Sequence, residues 1–278
     1  MQQVEISHAF FDSFRQSVAV RAASGMEKGA FYDETPGLTR YGFNVRFPLF
    51  NGALGVRLSR KEARAHLARD QKFFSEKKLP FCWWVDSAAE PAGLGKLLEE
   101  AGMHSAGPYV TLMADLRETV ALGTVRTDLE VREIHDPESF VVFMDLLQEV
   151  FGLSGEVCDE YGEMLRSGCG PGRPWHHYLA YLKGEPVGAC SLFFAGGEVA
   201  LLAHGAVVPR LRRQGIAKAT VARVLRDARA LGATHCGALL MATQQARPLL
   251  TRFGFAKCGE ITPYVFGADP AAIEPGVR

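Results

Sequence analysis

The sequence carries no excess charge of either sign: 31 lysines and arginines stand against 31 aspartates and glutamates over 278 residues. A neutral total excludes the broad basic footprint that draws a nucleic-acid-binding domain onto phosphates. Long apolar runs are also missing. Stretches such as Val187 to Ala195 fall far short of the roughly 20 residues that a membrane helix needs, so no membrane partner is expected. Met1-Gln2-Gln3-Val4-Glu5 lacks the basic start and apolar run of a secretory signal, which points to the cytoplasm. The six cysteines form no Cys-x-x-Cys pair, and none sits at ligand spacing with a histidine. Neither a zinc site nor a disulfide framework is expected, and no metal. Gly-x-x-x-x-Gly-Lys-[Ser/Thr] is absent as well, which removes the commonest nucleoside-triphosphate cradle.

What is present is an ordinary globular composition, 47% hydrophobic and 22% charged, in a chain long enough for one large or two moderate domains. Ser7 is placed to cap a first helix carrying Phe10, Phe14 and Val18. Turn formers and short extended pieces follow from Gly25 to Gly55. Ser59-Arg60-Lys61-Glu62 is a capping box opening a second helix. Phe81 to Val85 reads as a buried strand, Leu94 to Ala101 as a helix stopped at Gly102, and Tyr109 to Ala114 as a strand. A polar stretch around Arg117 to Asp128 places a domain boundary at 120/121.

Beyond it, Leu129 to Ile134 alternates like a strand, and Asp136-Pro137 caps a helix with Phe140, Phe143, Leu147 and Val150 on one face. A short helix over Val157 to Leu165 comes next. Strands over Tyr178 to Leu182, Pro186 to Phe194 and Glu198 to Val208 follow, joined by glycine-containing turns. The order strand, helix, Gly, strand occurs twice, closing on Pro108-Tyr109-Val110 and again on Pro263-Tyr264-Val265. The repetition suggests two related halves.

The chemistry lies in Val207-Val208-Pro209-Arg210-Leu211-Arg212-Arg213-Gln214-Gly215-Ile216-Ala217-Lys218. A strand ends at a proline, passes through a basic loop and opens a helix whose apolar face is Ile216, Thr220, Val221, Val224, Leu225 and Ala228. The first amides of a helix have no internal partner and carry the positive end of its dipole. Gly215 admits a ligand close to the backbone, and Arg212, Arg213 and Lys218 add charge, an arrangement suited to a pyrophosphate.

Arg212-Arg213-Gln214-Gly215-Ile216-Ala217 matches [Q/R]-x-x-G-x-[G/A], and here the sequence resembles the GNAT acyltransferase superfamily. The likeness runs over roughly residues 129 to 266. It includes the Val207-Val208-Pro209 strand end and a late helix closing on Arg252-Phe253-Gly254-Phe255. It implies an α/β (α+β) fold of two GNAT-like halves, each a mixed central sheet flanked by helices, with the carboxy-terminal half complete. Residues 1–120 would be a degenerate half without a coenzyme cradle, helping to shape a substrate cleft, and 121–278 the acetyltransferase domain. Acetyl-CoA would be the co-substrate. Arg212, Arg213, Gln214, Gly215, Ile216, Ala217 and Lys218 would hold its pyrophosphate, Ala206, Val207 and Val208 would pair with its pantetheine arm and polarise the thioester, and Thr243 would contact it at the start of the late helix. The activity implied is N-acetylation, by direct attack, of an amine on a small molecule or peptide. The rival is an acyl-CoA-binding sensor or interaction protein that has lost catalysis.

The catalytic groups are less clearly marked. The position at which many family members carry a tyrosine acid is Leu250, which favours the sensor; Tyr264 on the last strand is a substitute. Glu198 and His204 are candidate bases. Lying an even number of residues apart, they share a face if their strand is regular, and they separate if a bulge falls between them. The partners expected are acetyl-CoA and an amine acceptor, with a homodimer left open.

Overall fold

The computed structural model describes residues 3–118, 126, 128–167, 170, 172–241 and 246–269. In chain order the helices and strands are α1 (Gln3–Gly25), β1 (Phe31–Thr35), β2 (Leu38–Gly42), β3 (Asn51–Leu54), α2 (Arg60–Glu76), β4 (Phe81–Asp86), α3 (Leu94–Glu100), β5 (His104–Ser105) and β6 (Tyr109–Asp115). Then come β7 (Leu129–Glu133), α4 (Pro137–Phe151), α5 (Gly155–Ser167), β8 (Trp175–Leu182), β9 (Glu185–Phe193), β10 (Val199–Val207), α6 (Ile216–Ala230), β11 (His235–Met241), α7 (Arg247–Arg252) and β12 (Ala256–Phe266). The class is mixed α/β. None of the described helices is long and apolar enough to cross a membrane.

Local chemistry sets the ends of several helices. The Ser59 hydroxyl accepts from the Glu62 amide while the Glu62 carboxylate accepts from the Ser59 amide, so the capping box is formed in full. The Asp136 carboxylate accepts from the Ser139 amide at 2.7 Å with Pro137 in the first turn, and Gly152 ends α4 at φ 64°. Ser7, by contrast, is no cap: α1 already runs from Gln3, placing Ser7 inside the helix.

The chain divides into two compact units, interleaved in sequence. Of the described residues, one unit takes those within Met1–Ser17 and Thr111–Cys258, the other those within Val18–Val110 and Gly259–Val277. A single cut at 120/121 therefore does not separate them, and residues 119–125 themselves lie outside the described residues. Closing strands have been exchanged. β12 is antiparallel to β4, with Ile261 opposite Asp86 and Phe266 opposite Phe81, while β6 lies beside β11. Thr111–Asp115 of β6 belongs to the first unit and Gly259–Phe266 of β12 to the second, so each unit takes in a strand from the other half of the sequence.

In the first unit β7, β8, β9 and β10 form an antiparallel run, and β11 joins β10 in parallel. α6 covers one face: a Cβ on Gly188 would meet Ile216 at 3.0 Å. Ser191 lies three residues further along β9 and so faces the other side, where α4 sets Phe143 against His177 with ring centroids 4.7 Å apart. Phe143 and Trp175 are almost wholly buried there, each such side chain worth about 1.5–3 kcal/mol of transfer free energy. From α1, Phe10 packs over Gly237 and the Ser13 hydroxyl donates to the Val199 carbonyl at 3.1 Å.

The second unit carries β1-β2-β3-β4-β12 in order. Leu67 and Phe74 of α2, Leu94 and Leu97 of α3, and Phe81 and Trp83 of β4 share its core. Within it Asp70 is fully buried and accepts from Arg40 Nε at 2.7 Å and from Trp83 Nε1 at 3.0 Å. Burial raises its pKa, and the Arg40 guanidinium opposes that rise.

Candidate active site

The site starts where two strands part. β10 and β11 pair from Val199 opposite His235 to Leu202 opposite Ala238, and among the described residues the pairing stops there. Both strands run on, to Val207 and Met241, leaving a gap between them. At its mouth β10 carries a bulge: Ala203 opposes Ser191 and Ala206 opposes Ala189, so three steps on β10 match two on β9. His204 takes the strained place with φ 51°, a left-handed conformation in which histidine is found more often than most side chains.

Beyond the gap the chain turns at Pro209–Leu211 and rises into α6 through Arg213 at φ 61° and Gly215 at φ 84°. Arg212, Arg213 and Gln214 are exposed, while Ile216 is anchored in the core. Gly215 is the N-cap, and no side chain caps the helix. Its opening amides are the kind left for a ligand.

The corresponding helix start in the second unit differs. At α2 the capping box satisfies Ser59 and Glu62, the Arg57 amide donates to Gly37 O at 2.7 Å, and the Leu58 amide donates to Glu90 O at 3.3 Å. The groups at this helix start are thus satisfied from within the chain.

Backbone direction narrows the strand contribution to the gap. Successive residues of a strand aim their polar groups at opposite neighbours. The Val208 amide donates to Val187 O at 3.1 Å on β9, so Val207 between Ala206 and Val208 is the one aimed into the gap. Arg212 Nε reaches the Val207 carbonyl at 3.4 Å.

On the α4–α5 face stands a chain of four polar side chains. Tyr161 Oη lies 2.8 Å from His204 Nε2, His204 Nδ1 lies 2.8 Å from Ser191 Oγ, and Ser191 Oγ lies 2.6 Å from His177 Nδ1. Ser191, His177 and Tyr161 are buried, and His204 is half-buried under the rings of Trp175 and Phe143. The neighbouring Cys190 is not part of this chemistry, because burial pushes its thiol up to about 12.

The other expected residues are dispersed. Glu198 lies outside β10 at its far end, exposed, with its carbonyl accepting from the Thr234 and His235 amides at 2.9 Å each. Six residues of strand, about 20 Å, separate it from His204, and the bulge ends their shared facing. Tyr264 belongs to the second unit, packed against its core over Gly95, with its pKa raised first by burial and then by Glu99. Leu250 is buried in α7. Thr243 lies outside the described residues, and the described helix begins only at Arg247. Among the described residues no cluster of His, Cys, Asp and Glu is assembled for a metal ion.

Sequence reasoning missed four residues here, Tyr161, His177, Ser191 and Arg126. Arg126 Nη1 donates to the Gln214 carbonyl at 3.1 Å beside Gly215, while its Nε is engaged by Asp128 at 2.7 Å. It also lines a cleft of about 490 Å³ along α6, together with Arg223, Arg226 and Arg229. Those guanidiniums are largely committed: Arg223 to Asp227 and the Val131 carbonyl, Arg229 to the carbonyls of Leu116 and Glu118.

Residues 130–255 match the family model described as the acetyltransferase (GNAT) family. This segment is a GNAT domain. Its signature loop Arg212–Ala217 and its parted strands β10 and β11 both lie inside the matched range. No curated protein matches the chain in sequence. In three dimensions it is similar over most of its length to a GCN5-related N-acetyltransferase from Kribbella flavida, at 14% identity and a TM-score of 0.67, covering 92% of this chain and 96% of the other. A functionally unknown conserved protein from Staphylococcus epidermidis aligns at 12% identity and TM-score 0.69, over 87% and 95% of the two chains. A tandem GNAT protein from the clavulanic acid biosynthesis pathway aligns at 14% identity and TM-score 0.58, over 84% and 79%. At such identities the likeness is one of fold, and it extends well beyond the GNAT domain.

Proposed function

We propose that the protein is an acetyl-CoA-dependent N-acetyltransferase acting on an amine of a small molecule or peptide. One observation carries the reading: a single domain joins an uncapped, glycine-started helix to a strand gap that has a histidine–tyrosine pair at its mouth. The residues fit the coenzyme. Gly215 takes a left-handed turn beside exposed Arg212 and Arg213, and the amides of Arg213 to Lys218 would hold the pyrophosphate. Bound there, acetyl-CoA supplies an acetyl group activated as a thioester.

The chain's own residues would do the rest. The amine gives a proton to Tyr161 Oη as the Tyr161 proton passes to His204 Nε2, leaving a neutral phenol and an imidazolium. The freed amine attacks the thioester carbonyl carbon directly. The C–N bond forms, the C–S bond breaks, and coenzyme A leaves as a thiolate that takes up the proton shed by the acetylated nitrogen. The Val207 amide, aimed into the gap, is the donor placed to stabilise charge developing on the carbonyl oxygen. Glu198 has no part in this scheme because of its position. Val18–Val110 is proposed to derive from a GNAT-like half whose cradle has been closed by the α2 capping box and the Gly37 and Glu90 carbonyls. Buried Leu250 in place of a tyrosine acid favours the second reading, a coenzyme-binding sensor without turnover.

Release of free thiol from acetyl-CoA, followed across a panel of amines, tests the proposal. Amine-dependent release supports the enzyme. Coenzyme binding with no release from any amine supports the sensor.

A further inference from the structure

The four-residue chain reaches deeper than a base requires. His177 is 1% exposed, its ring lies almost parallel to that of Trp175 at 16°, and its Nδ1 lies 2.6 Å from Ser191 Oγ. Ser191 has one hydroxyl proton and a histidine nitrogen on each side.

Two proton arrangements give the Ser191 hydroxyl proton an acceptor within this chain, one the reverse of the other. Phenol acidity selects between them, since a phenol near about pKa 10 is a far better donor than a neutral imidazole N–H. Tyr161 Oη–H therefore donates to His204 Nε2, His204 Nδ1–H to Ser191 Oγ, and Ser191 Oγ–H to His177 Nδ1. His177 is left with its proton on Nε2.

We propose that His177 and Ser191 are positioning residues that fix the tautomer of His204. By accepting the serine proton, His177 turns the Ser191 lone pairs towards His204 Nδ1–H and keeps the Nε2 lone pair facing Tyr161. This rests on the reading of His204 as the base. The Nδ1–H form is the minority tautomer of free histidine in water, so without the lock part of the protein holds a proton where the base must accept one. When His204 becomes an imidazolium, both of its N–H groups already have oxygen acceptors, Tyr161 Oη and Ser191 Oγ.

The test reads ring nitrogens directly, by nitrogen-15 NMR of the intact chain, with kinetics beside it. Wild type is expected to show His204 protonated on Nδ1. His177→Phe keeps the ring in its aromatic stack but removes the acceptor, and Ser191→Ala removes the link; both should shift His204 towards the Nε2–H form. His177→Asn places an amide oxygen near the lost Nδ1 and should restore the wild-type spectrum. In turnover, His177→Phe and Ser191→Ala should lose about tenfold in kcat, part of the roughly 10²–10⁴ that a base contributes, with KM for acetyl-CoA unchanged and His177→Asn recovering most of the loss. A wild-type His204 protonated on Nε2, or an unaltered tautomer in both His177→Phe and Ser191→Ala, overturns the inference. The spectra decide it even if no amine is turned over, in which case it is the acetyltransferase reading that falls.

Discussion

Replacing His204 should separate the proposed chemistry from coenzyme binding, because its ring lies on the α4–α5 side of the sheet while α6 and its loop lie on the other. His204→Gln puts an amide near the former Nε2, able to hydrogen-bond Tyr161 but unable to take its proton. General-base catalysis contributes about 10²–10⁴, or about 2.7–5.5 kcal/mol at 1.36 kcal/mol per tenfold. Turnover of His204→Gln should fall by that factor. His204→Ala also removes the nitrogens that meet the Tyr161 and Ser191 hydroxyls, each at 2.8 Å. Losing a buried hydrogen-bond partner costs about 1–3 kcal/mol, so this variant should melt several degrees lower as well. Both should keep the rise in melting temperature that acetyl-CoA is expected to cause in the wild type. Steady-state thiol release and thermal unfolding with and without acetyl-CoA measure the two effects. His204→Gln turning over within about threefold of wild type would refute the proton path, and loss of the coenzyme-induced shift would refute the separation of the two faces.

Other consequences are open to simpler tests. Gly215→Ala must hold an alanine at φ 84°, costing about 1–2 kcal/mol, although its Cβ would meet Arg126 at an ordinary 3.5 Å. It should melt a few degrees lower and bind acetyl-CoA at least about tenfold more weakly by calorimetry; unchanged affinity counts against the cradle. A fragment of residues 121–278 lacks β6 and the Phe10 and Ser13 contacts of α1, leaving the edge of β11 bare. It should aggregate on expression, and a soluble fragment with cooperative unfolding would show the exchanged strand to be dispensable. A Cβ on Gly237 would come 2.6 Å from the Phe10 ring, so Gly237→Val should destabilise by about 1–3 kcal/mol in denaturant titration, a loss that Phe10→Leu should relieve. Cys82, Cys190 and Cys236 are buried, with thiols raised by burial, and should resist thiol reagents at neutral pH until the protein is unfolded; fast labelling in the folded state would contradict their burial.

The loop proposed to hold the coenzyme is legible in sequence because its geometry is local. Six consecutive residues, Arg212 to Ala217, set the turn, the left-handed glycine and the bare helix start, and the Ser59–Glu62 box is local in the same way. The proposed base is legible only as one of two candidates. Even spacing puts Glu198 and His204 on one face, and only the bulge beginning at His204 breaks that relation. The one local trace of it is Gly205, a glycine inside a strand, which often marks a bulge. Tyr161, His177 and Ser191 leave no such trace. They come from α5, β8 and β9, and they meet because Trp175 to Leu179 pair with Phe193 to Ala189 in one register, which shape rather than spacing selects. The exchange of β6 and β12 is equally hidden. Their shared Pro-Tyr-Val makes them chemically alike, and nothing within either segment says which sheet it will complete.

In the proposed function the Arg212–Lys218 loop and the gap beside Val207 receive acetyl-CoA. Thermal unfolding at increasing acetyl-CoA tests it most directly, since a ligand bound only by the folded state stabilises it by about 2.7 kcal/mol at a hundredfold excess over Kd. A saturable upward shift, reduced in Gly215→Ala and retained in His204→Gln, is the expected result; an unchanged melting temperature at millimolar acetyl-CoA would contradict the account.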